Sequence, residues 1–116
     1  MPFGSHLREV RERRLRDDRS YSQRQVALRV GVEPAYLSKI EREVTPPPSE
    51  STIRRIAEEL GQDPDVLLAM AGKVSSDLAK IIIRRPHLFA NLLRELRAVP
   101  DDAVLRIVRE VRDGDW

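Results

Sequence analysis

The chain has 116 residues, 41% hydrophobic and 34% charged, which is enough for one domain with a core, or for one small domain with an added element. It contains no cysteine, so disulfides and thiolate metal sites are excluded. Its 4% of aromatic residues is too little for a surface that stacks single-stranded bases. The formal charge is only +2, yet residues 1–30 hold eight arginines against four acids, so the positive field lies at the N-terminal end.

The sequence carries no signal of a membrane or of a metal ion. It has no apolar run of signal-peptide length and no segment near the ~20 apolar residues that span a bilayer. The two histidines, His6 and His87, lie far apart, and neither has a second ligand at metal spacing. We therefore expect a cytoplasmic protein with no membrane partner, no metal and no cofactor.

The first element is predicted to be a helix that Ser5 caps and whose apolar positions are Leu7 and Val10. It continues to about Arg16, and most of its side chains are charged, which indicates a solvated face with ion pairs four residues apart. The polar stretch DDRSY follows at 17–21. The sequence leaves open whether DDRS lengthens the helix by a turn or forms a loop.

The next two helices form the centre of the chain. One is predicted over 22–30 and the other over 33–42, with the turn Gly31-Val32 between them. Gly31 reaches a positive φ at little steric cost, which a helix needs just past its last turn. Ala27 is small where the second helix must cross the first. This pattern is typical of a helix-turn-helix, whose second helix enters the major groove of DNA.

After a stiff proline connector, two more helices complete an all-α unit. The prolines at 46–48 remove amide donors and fix φ, so no helix crosses them. Ser49 is expected to cap a helix that Gly61 closes, with apolar residues at i, i+3, i+4 and i+7 from Ile53. Asp63 begins a further helix, and its run DVLLAMA is so apolar that we expect it to be buried.

The remaining residues, 72–116, differ in character. Three helices are predicted, which begin at Ser75 or Ser76, after Pro86 and at Asp101, each with a wide apolar stripe. A segment of this length is near the lower limit for an independent core. The surplus apolar surface must therefore meet either the first unit or a second chain, and we favour the second chain. The residues expected to form a dimer are Leu88, Phe89, Leu92, Leu93, Leu96, Leu105, Val108 and Val111.

Several short segments stand at the spacing of a known family. They are FG at 3–4, LREVR at 7–11, SQRQVA at 22–27, GV at 31–32, YLSKIER at 36–42, PPS at 47–49 and IAEELG at 56–61. With them, residues 3–71 resemble the Cro/C1-type (Xre-family) helix-turn-helix repressors. The resemblance implies a five-helix lambda-repressor-like domain at 1–71, followed by a helical dimerisation region at 72–116. It is specific because five residues must be right together, namely Gln23, Ala27, Gly31, Leu37 and Ile40.

The resemblance also implies a role for individual residues of the recognition helix. Pro34 and Ala35 can make only apolar contacts with bases, for example with a thymine methyl group. Base hydrogen bonds then fall to Ser38 and Lys39, and to Glu33 with cytosine. Glu33 departs from the family, which usually has Ser or Thr there. The expected base contacts are Glu33, Pro34, Ala35, Tyr36, Ser38 and Lys39.

Other residues match the family's backbone and structural positions. Arg11 and Glu41 match a pair that in this family forms a partly buried salt bridge between the first and third helices. The link before the second helix is about five residues longer than usual. The expected phosphate contacts are Arg19, Ser22, Gln23, Arg24, Arg42 and Thr45.

The resemblance implies a sequence-specific repressor, not an enzyme, that binds double-stranded DNA as a homodimer on a pseudo-palindromic operator. The C-terminal segment is similar to the tails of short repressors encoded beside ImmA/IrrE-type zinc peptidases. Such a peptidase is then a candidate partner that relieves repression by cutting the tail. The alternative is an antitoxin-like module that binds a toxin through the tail and autoregulates its operon. The size of the purified chain distinguishes them: the repressor is a stable dimer, whereas an antitoxin without its toxin is a monomer that aggregates.

Overall fold

A computed structural model describes residues 2–116, and every regular element in that range is helical, which confirms the all-α prediction. A 3₁₀ helix, Arg19–Tyr21, lies between the first two α-helices. The α-helices are α1 (Phe3–Leu15), α2 (Gln23–Val30), α3 (Pro34–Glu41), α4 (Glu50–Leu60), α5 (Pro64–Met70), α6 (Ser76–Arg84), α7 (Pro86–Leu96) and α8 (Asp101–Asp113).

Helix α1 begins at Phe3, so the prediction that Ser5 caps it is wrong. Pro2 occupies the N-cap position without a side-chain cap bond. Instead, the Gly4 amide donates to Glu43 Oε1 at 3.2 Å, so the cap comes from a residue beyond α3. Gly4 permits this approach, because a Cβ atom there would collide with the Ile40 carbonyl oxygen. The helix can therefore start one turn earlier than local sequence suggests.

The DDRS stretch does not extend α1: Asp17 and Asp18 form a loop, and Arg19 and Ser20 begin the 3₁₀ helix. The helix ends at Leu15, and Asp18 then accepts hydrogen bonds from the Ser20 hydroxyl at 2.7 Å and the Ser20 amide at 2.9 Å. These bonds hold the pKa of the Asp18 carboxyl below its usual value. The loop delivers the chain to Ser22, whose Oγ accepts from the Gln25 amide and caps α2.

The core of the first unit lies where α1 to α5 meet. Gly31 adopts φ 89° and ends α2, while Ser49 caps α4 and Gly61, at φ 65°, ends it. The prediction that α5 is buried along its length holds for Leu67 and Leu68 but is wrong for Val66, because α5 offers only one face to the core. The buried apolar residues are Phe3, Leu7, Val10, Val26, Ala27, Val30, Leu37, Ile40, Ile53, Ile56, Ala57, Leu60, Leu67 and Leu68.

The described chain divides into two compact units, of which the first reaches Leu78 and the second is Ala79–Trp116. Ser75 caps α6, since its buried Oγ accepts from the Leu78 amide at 3.1 Å. Ser76 has a different role, because its hydroxyl donates to Glu50 at 2.7 Å and ties this segment to the start of α4. Lys73 adds a hydrogen bond to the Pro48 carbonyl.

None of the residues of α6, α7 or α8 is buried. Leu88, Leu93 and Val111 are more than half exposed. Phe89 and Leu96 are only half-buried. No helix between residues 2 and 116 combines the length and the apolar character that crossing a bilayer requires.

Glu43 offers a test of the link between α1 and α3. It has φ 63°, in the left-handed region that favours glycine, just past the end of α3. We expect Glu43→Ala to lower the free energy of unfolding by about 1 kcal/mol, because it removes the α1 cap and keeps the backbone strain. Glu43→Gly removes both and should lie closer to the unmodified protein. Urea denaturation measures the difference, and equal losses in the two variants would contradict it.

Candidate nucleic-acid interface

A buried ion pair joins α1 to α3. Arg11 Nε donates to Glu41 Oε2 at 2.7 Å and Arg11 Nη2 donates to Glu41 Oε1 at 2.9 Å, with both side chains almost fully buried. Arg11 Nη1 also donates to the Tyr21 carbonyl at 3.1 Å, and Gln23 Nε2 donates to Glu41 Oε1 at 2.9 Å. Glu41 and Arg11 thus satisfy each other while fixing the 3₁₀ helix and the start of α2.

Gln23 is therefore oriented before any ligand arrives. One hydrogen of its side-chain amide is donated to Glu41, and the half-buried side chain lies at the first position of α2. The second amide hydrogen is available to a phosphate oxygen near the N-terminus of the helix.

Helix α3 presents an open outer face. Its inner face is fixed by Leu37 and Ile40, which are buried in the core. Pro34, Ala35 and Lys39 are exposed on the other side. An exposed helical face of this kind can enter a major groove, because that groove is wide enough to admit an α-helix.

Three of the predicted base-contacting residues have additional structural roles or neighbours. Tyr36 is half-buried and packs against the core, so only part of its ring faces outward. Ser38 Oγ accepts from Arg42 Nε at 3.2 Å. Glu33 occupies the N-cap position of α3, but its carboxylate makes no cap hydrogen bond and is exposed.

The predicted phosphate-contacting residues do not lie in one place. Ser22, Gln23 and Arg42 line an open cavity between α1, α2 and α3, together with Ser38. Arg24 lines a second cleft, with Glu33 and Pro34. Thr45 lies in a separate cleft beside Phe3 and Pro47, and Arg19 is exposed on the 3₁₀ helix.

Two arginines near this surface are engaged by an aromatic ring. The guanidinium groups of Arg14 and Arg29 lie 5.3 and 5.4 Å from the centre of the Tyr21 ring. Arg14 also donates to the Tyr21 hydroxyl, and Arg29 pairs with Glu59 at 2.6 Å. Arg14 and Arg29 therefore stabilise the segment before α2. Because they are engaged within the protein, fewer of the N-terminal arginines are available to a ligand than their number in the sequence suggests.

Sequence reasoning missed three residues of the cavity, Arg8, Glu12 and Leu15. They line it from α1 opposite Gln23, and Arg8 Nε donates to Glu12 Oε1 at 2.8 Å. The signal that could have found Arg8 is its place one helical turn before Arg11, which puts both on neighbouring positions of one face.

The comparison with known families agrees with this geometry. A family model described as helix-turn-helix matches residues 10–67, which is half of the chain and includes α2 and α3 completely. No curated protein and no solved structure matches the chain.

The buried pair gives a prediction of stability. We expect Arg11→Ala to lower the free energy of unfolding by about 3–5 kcal/mol, because it leaves the Glu41 carboxylate buried without a counter-charge. Arg13→Ala is the matched control, since Arg13 pairs with Glu9 at 3.5 Å on the same helix but is 59% exposed. Its loss should stay within about 1 kcal/mol. Chemical denaturation measures the free energy of unfolding of both variants. Similar losses in the two would show that burial of the Arg11 pair does not contribute to stability.

Proposed function

The chain belongs to the Cro/C1-type helix-turn-helix family, and we propose that it is a transcriptional repressor that acts as a homodimer on a pseudo-palindromic operator. Membership of this family makes it a DNA-binding transcription regulator. The observation that carries the proposal is the exposed outer face of α3, held rigidly by the buried Arg11–Glu41 pair.

Base reading is assigned to the outer face of α3. Lys39 is exposed and its ammonium group can donate to guanine O6 and N7. Ser38 contributes a hydroxyl beside Arg42, and Pro34 and Ala35 offer apolar contact to a thymine methyl group. Glu33 is exposed, and its carboxylate can only accept a hydrogen bond, for example from cytosine N4. Its negative charge also disfavours a close approach to phosphates.

Backbone contacts are assigned to the groups on either side of α3. Gln23 and Ser22 lie at the start of α2, where helix amides favour an anion. Arg42, just past α3, carries a positive charge on the other side of the shared cavity. Arg24, Arg19 and Thr45 would extend this contact along the duplex.

Dimerisation is assigned to the tail. Helices α6, α7 and α8 have no buried residue, so their apolar stripes would be covered by a second copy of the chain. A two-fold dimer would place two recognition helices in successive major grooves, about 34 Å apart. The same uncovered stripes also support the antitoxin alternative, in which a toxin occupies them.

In the repressor, a peptidase that cuts the tail would separate the two halves of the dimer and so relieve repression.

Specificity is tested by comparing two exposed cations. We expect Lys39→Ala to reduce discrimination between the operator and variants at one base pair by about 1–3 kcal/mol, because a base contact is lost. Arg42→Ala should weaken binding to operator and random duplex alike, because a phosphate contact carries no sequence information. Affinities come from fluorescence anisotropy on an operator found by unbiased selection. Equal losses on both duplexes for Lys39→Ala would refute base reading by that residue.

Dimerisation is tested with two equally exposed apolar residues. In the single chain Leu93 is 53% exposed and Val66 is 55% exposed. We expect Leu93→Asp to turn the dimer into a monomer in analytical ultracentrifugation, because the charge would be buried in the dimer interface. Val66→Asp, on α5, should leave the dimer intact. A monomeric unmodified chain would instead favour the antitoxin alternative.

A further inference from the structure

The cavity between α1, α2 and α3 is lined by charged residues that have no role among the proposed DNA contacts. Ser22 and Gln23 line it from α2, Ser38 and Arg42 from the end of α3, and Arg8 and Glu12 from α1. The cavity is open to solvent, and Arg8 lines it together with Gln23 and Arg42. A cation in this cavity therefore lies beside the groups that are proposed to meet the DNA backbone.

The arginines of this cavity differ in how many of their donors are already used. Arg11 directs Nε and both Nη atoms at Glu41 and the Tyr21 carbonyl, so it has little to offer an anion. Arg42 directs only Nε, at Ser38. Arg8 resembles Arg42 in this respect. Among residues 2–116 its one hydrogen-bond acceptor is Glu12, which Nε contacts, and both of its Nη atoms are unengaged.

We propose that Arg8 is a further contact to a DNA phosphodiester, and that Glu12 competes with the phosphate for Arg8 and thereby lowers affinity for any DNA sequence. This inference rests on the proposed function, because the phosphate at the cavity is that of the bound duplex. It assigns α1 a direct part in binding, where sequence analysis expects only a solvated face.

The Arg8–Glu12 pair is weak enough to be exchanged. Its side chains are 58% and 46% exposed, and pairs of this kind contribute little because water screens them. The hydrogen bond from Arg8 holds the pKa of Glu12 below its usual value, so the carboxylate is charged at neutral pH and is a true competitor. A duplex offers one negative charge per ~1.7 Å of its length, and neutralising each phosphate releases counterions.

The release of Arg8 has a consequence for Glu12. The free Nη atoms of Arg8 can meet a phosphate first, but the side-on contact that uses Nε and Nη together requires Nε to leave Glu12. The carboxylate then loses its partner and stands as a bare negative charge beside the duplex. Glu12 therefore opposes binding twice, first by holding Arg8 and then by repelling the phosphate. Only the first effect depends on Arg8, and this difference makes the proposal testable.

The experiment measures the affinity of the full-length chain for the selected operator and for a random duplex at several salt concentrations. We expect Glu12→Gln to tighten binding about three- to tenfold on both duplexes. Arg8→Ala should weaken binding on both, and its plot of log affinity against log salt should be shallower by up to about 0.9. In the double variant, Glu12→Gln should lose most of its gain, because there is no guanidinium left to release.

Arg13→Ala is the matched control for Arg8→Ala. Arg13 has the same exposure on the same helix and also pairs with a glutamate four residues away, but it does not line the cavity. It should change affinity and salt slope much less than Arg8→Ala does. Circular dichroism of each variant verifies that the helices are intact.

Each outcome decides the proposal. An equal gain from Glu12→Gln with and without Arg8 would mean simple charge repulsion and would overturn the competition. Equal effects of Arg8→Ala and Arg13→Ala would overturn the phosphate contact, while leaving the proposed function intact. Failure of the unmodified chain to bind any duplex would overturn the proposed function and this inference together.

Discussion

Three α-helices meet at the carboxylate of Glu41, and Arg11 connects the 3₁₀ helix to it. Its oxygens accept from Arg11 of α1 and from Gln23 of α2, and Arg11 in turn holds the Tyr21 carbonyl of the 3₁₀ helix. A buried charge tolerates few arrangements, because each unmet donor or acceptor costs free energy in a low dielectric. The buried side chains Leu37 and Ile40 fix the same helix from its inner face. The polar network and the core therefore restrict the direction of α3 together, and the position of its outer face follows from both.

The second constraint on α3 is the close approach of its last turn to the start of α1. The Glu43 backbone is left-handed although it is not glycine, and its carboxylate meets the Gly4 amide. A glycine at 43 would relax the backbone but lose the cap. The strained backbone at Glu43 thus allows a long-range bond that anchors the start of α1 to the residues after α3. Near the other end of α1, Arg14 contacts the Tyr21 side chain of the 3₁₀ helix.

Features fixed by local chemistry could be predicted from the sequence, and features that depend on distant residues could not. The turn at Gly31 and the caps at Ser22 and Ser49 follow from neighbouring residues, so α2, α3 and α4 were located within a residue or two. The cap of α1 comes from a residue 39 positions away, and no local pattern contains that information. The exposed side of α5 was missed for a related reason, since an apolar run does not tell which face meets the core.

The candidate site shows the same division. The family resemblance named Gln23 and Arg42 as neighbours of the DNA backbone, and the structure places both at one cavity. Arg8 and Glu12 were missed because their place in this cavity depends on how α1 packs against the helix-turn-helix, which the sequence does not show locally. Their charges look like an ordinary surface pair in the sequence, and only the fold brings them beside α2.

If the tail dimerises as proposed, its uncovered apolar surface would link the stability of this protein to its concentration. Ordering each backbone residue costs about 1–2 kcal/mol, and α7 and α8 offset none of that by full burial within one chain. In the proposed dimer, the second copy supplies the missing apolar contact, so folding of the tail and association become one equilibrium. Two helix-turn-helix units would then bind as a linked pair only above the concentration at which the tails associate. The proposed repressor would therefore respond steeply to its own abundance, and cutting the tail would remove that response without altering α3.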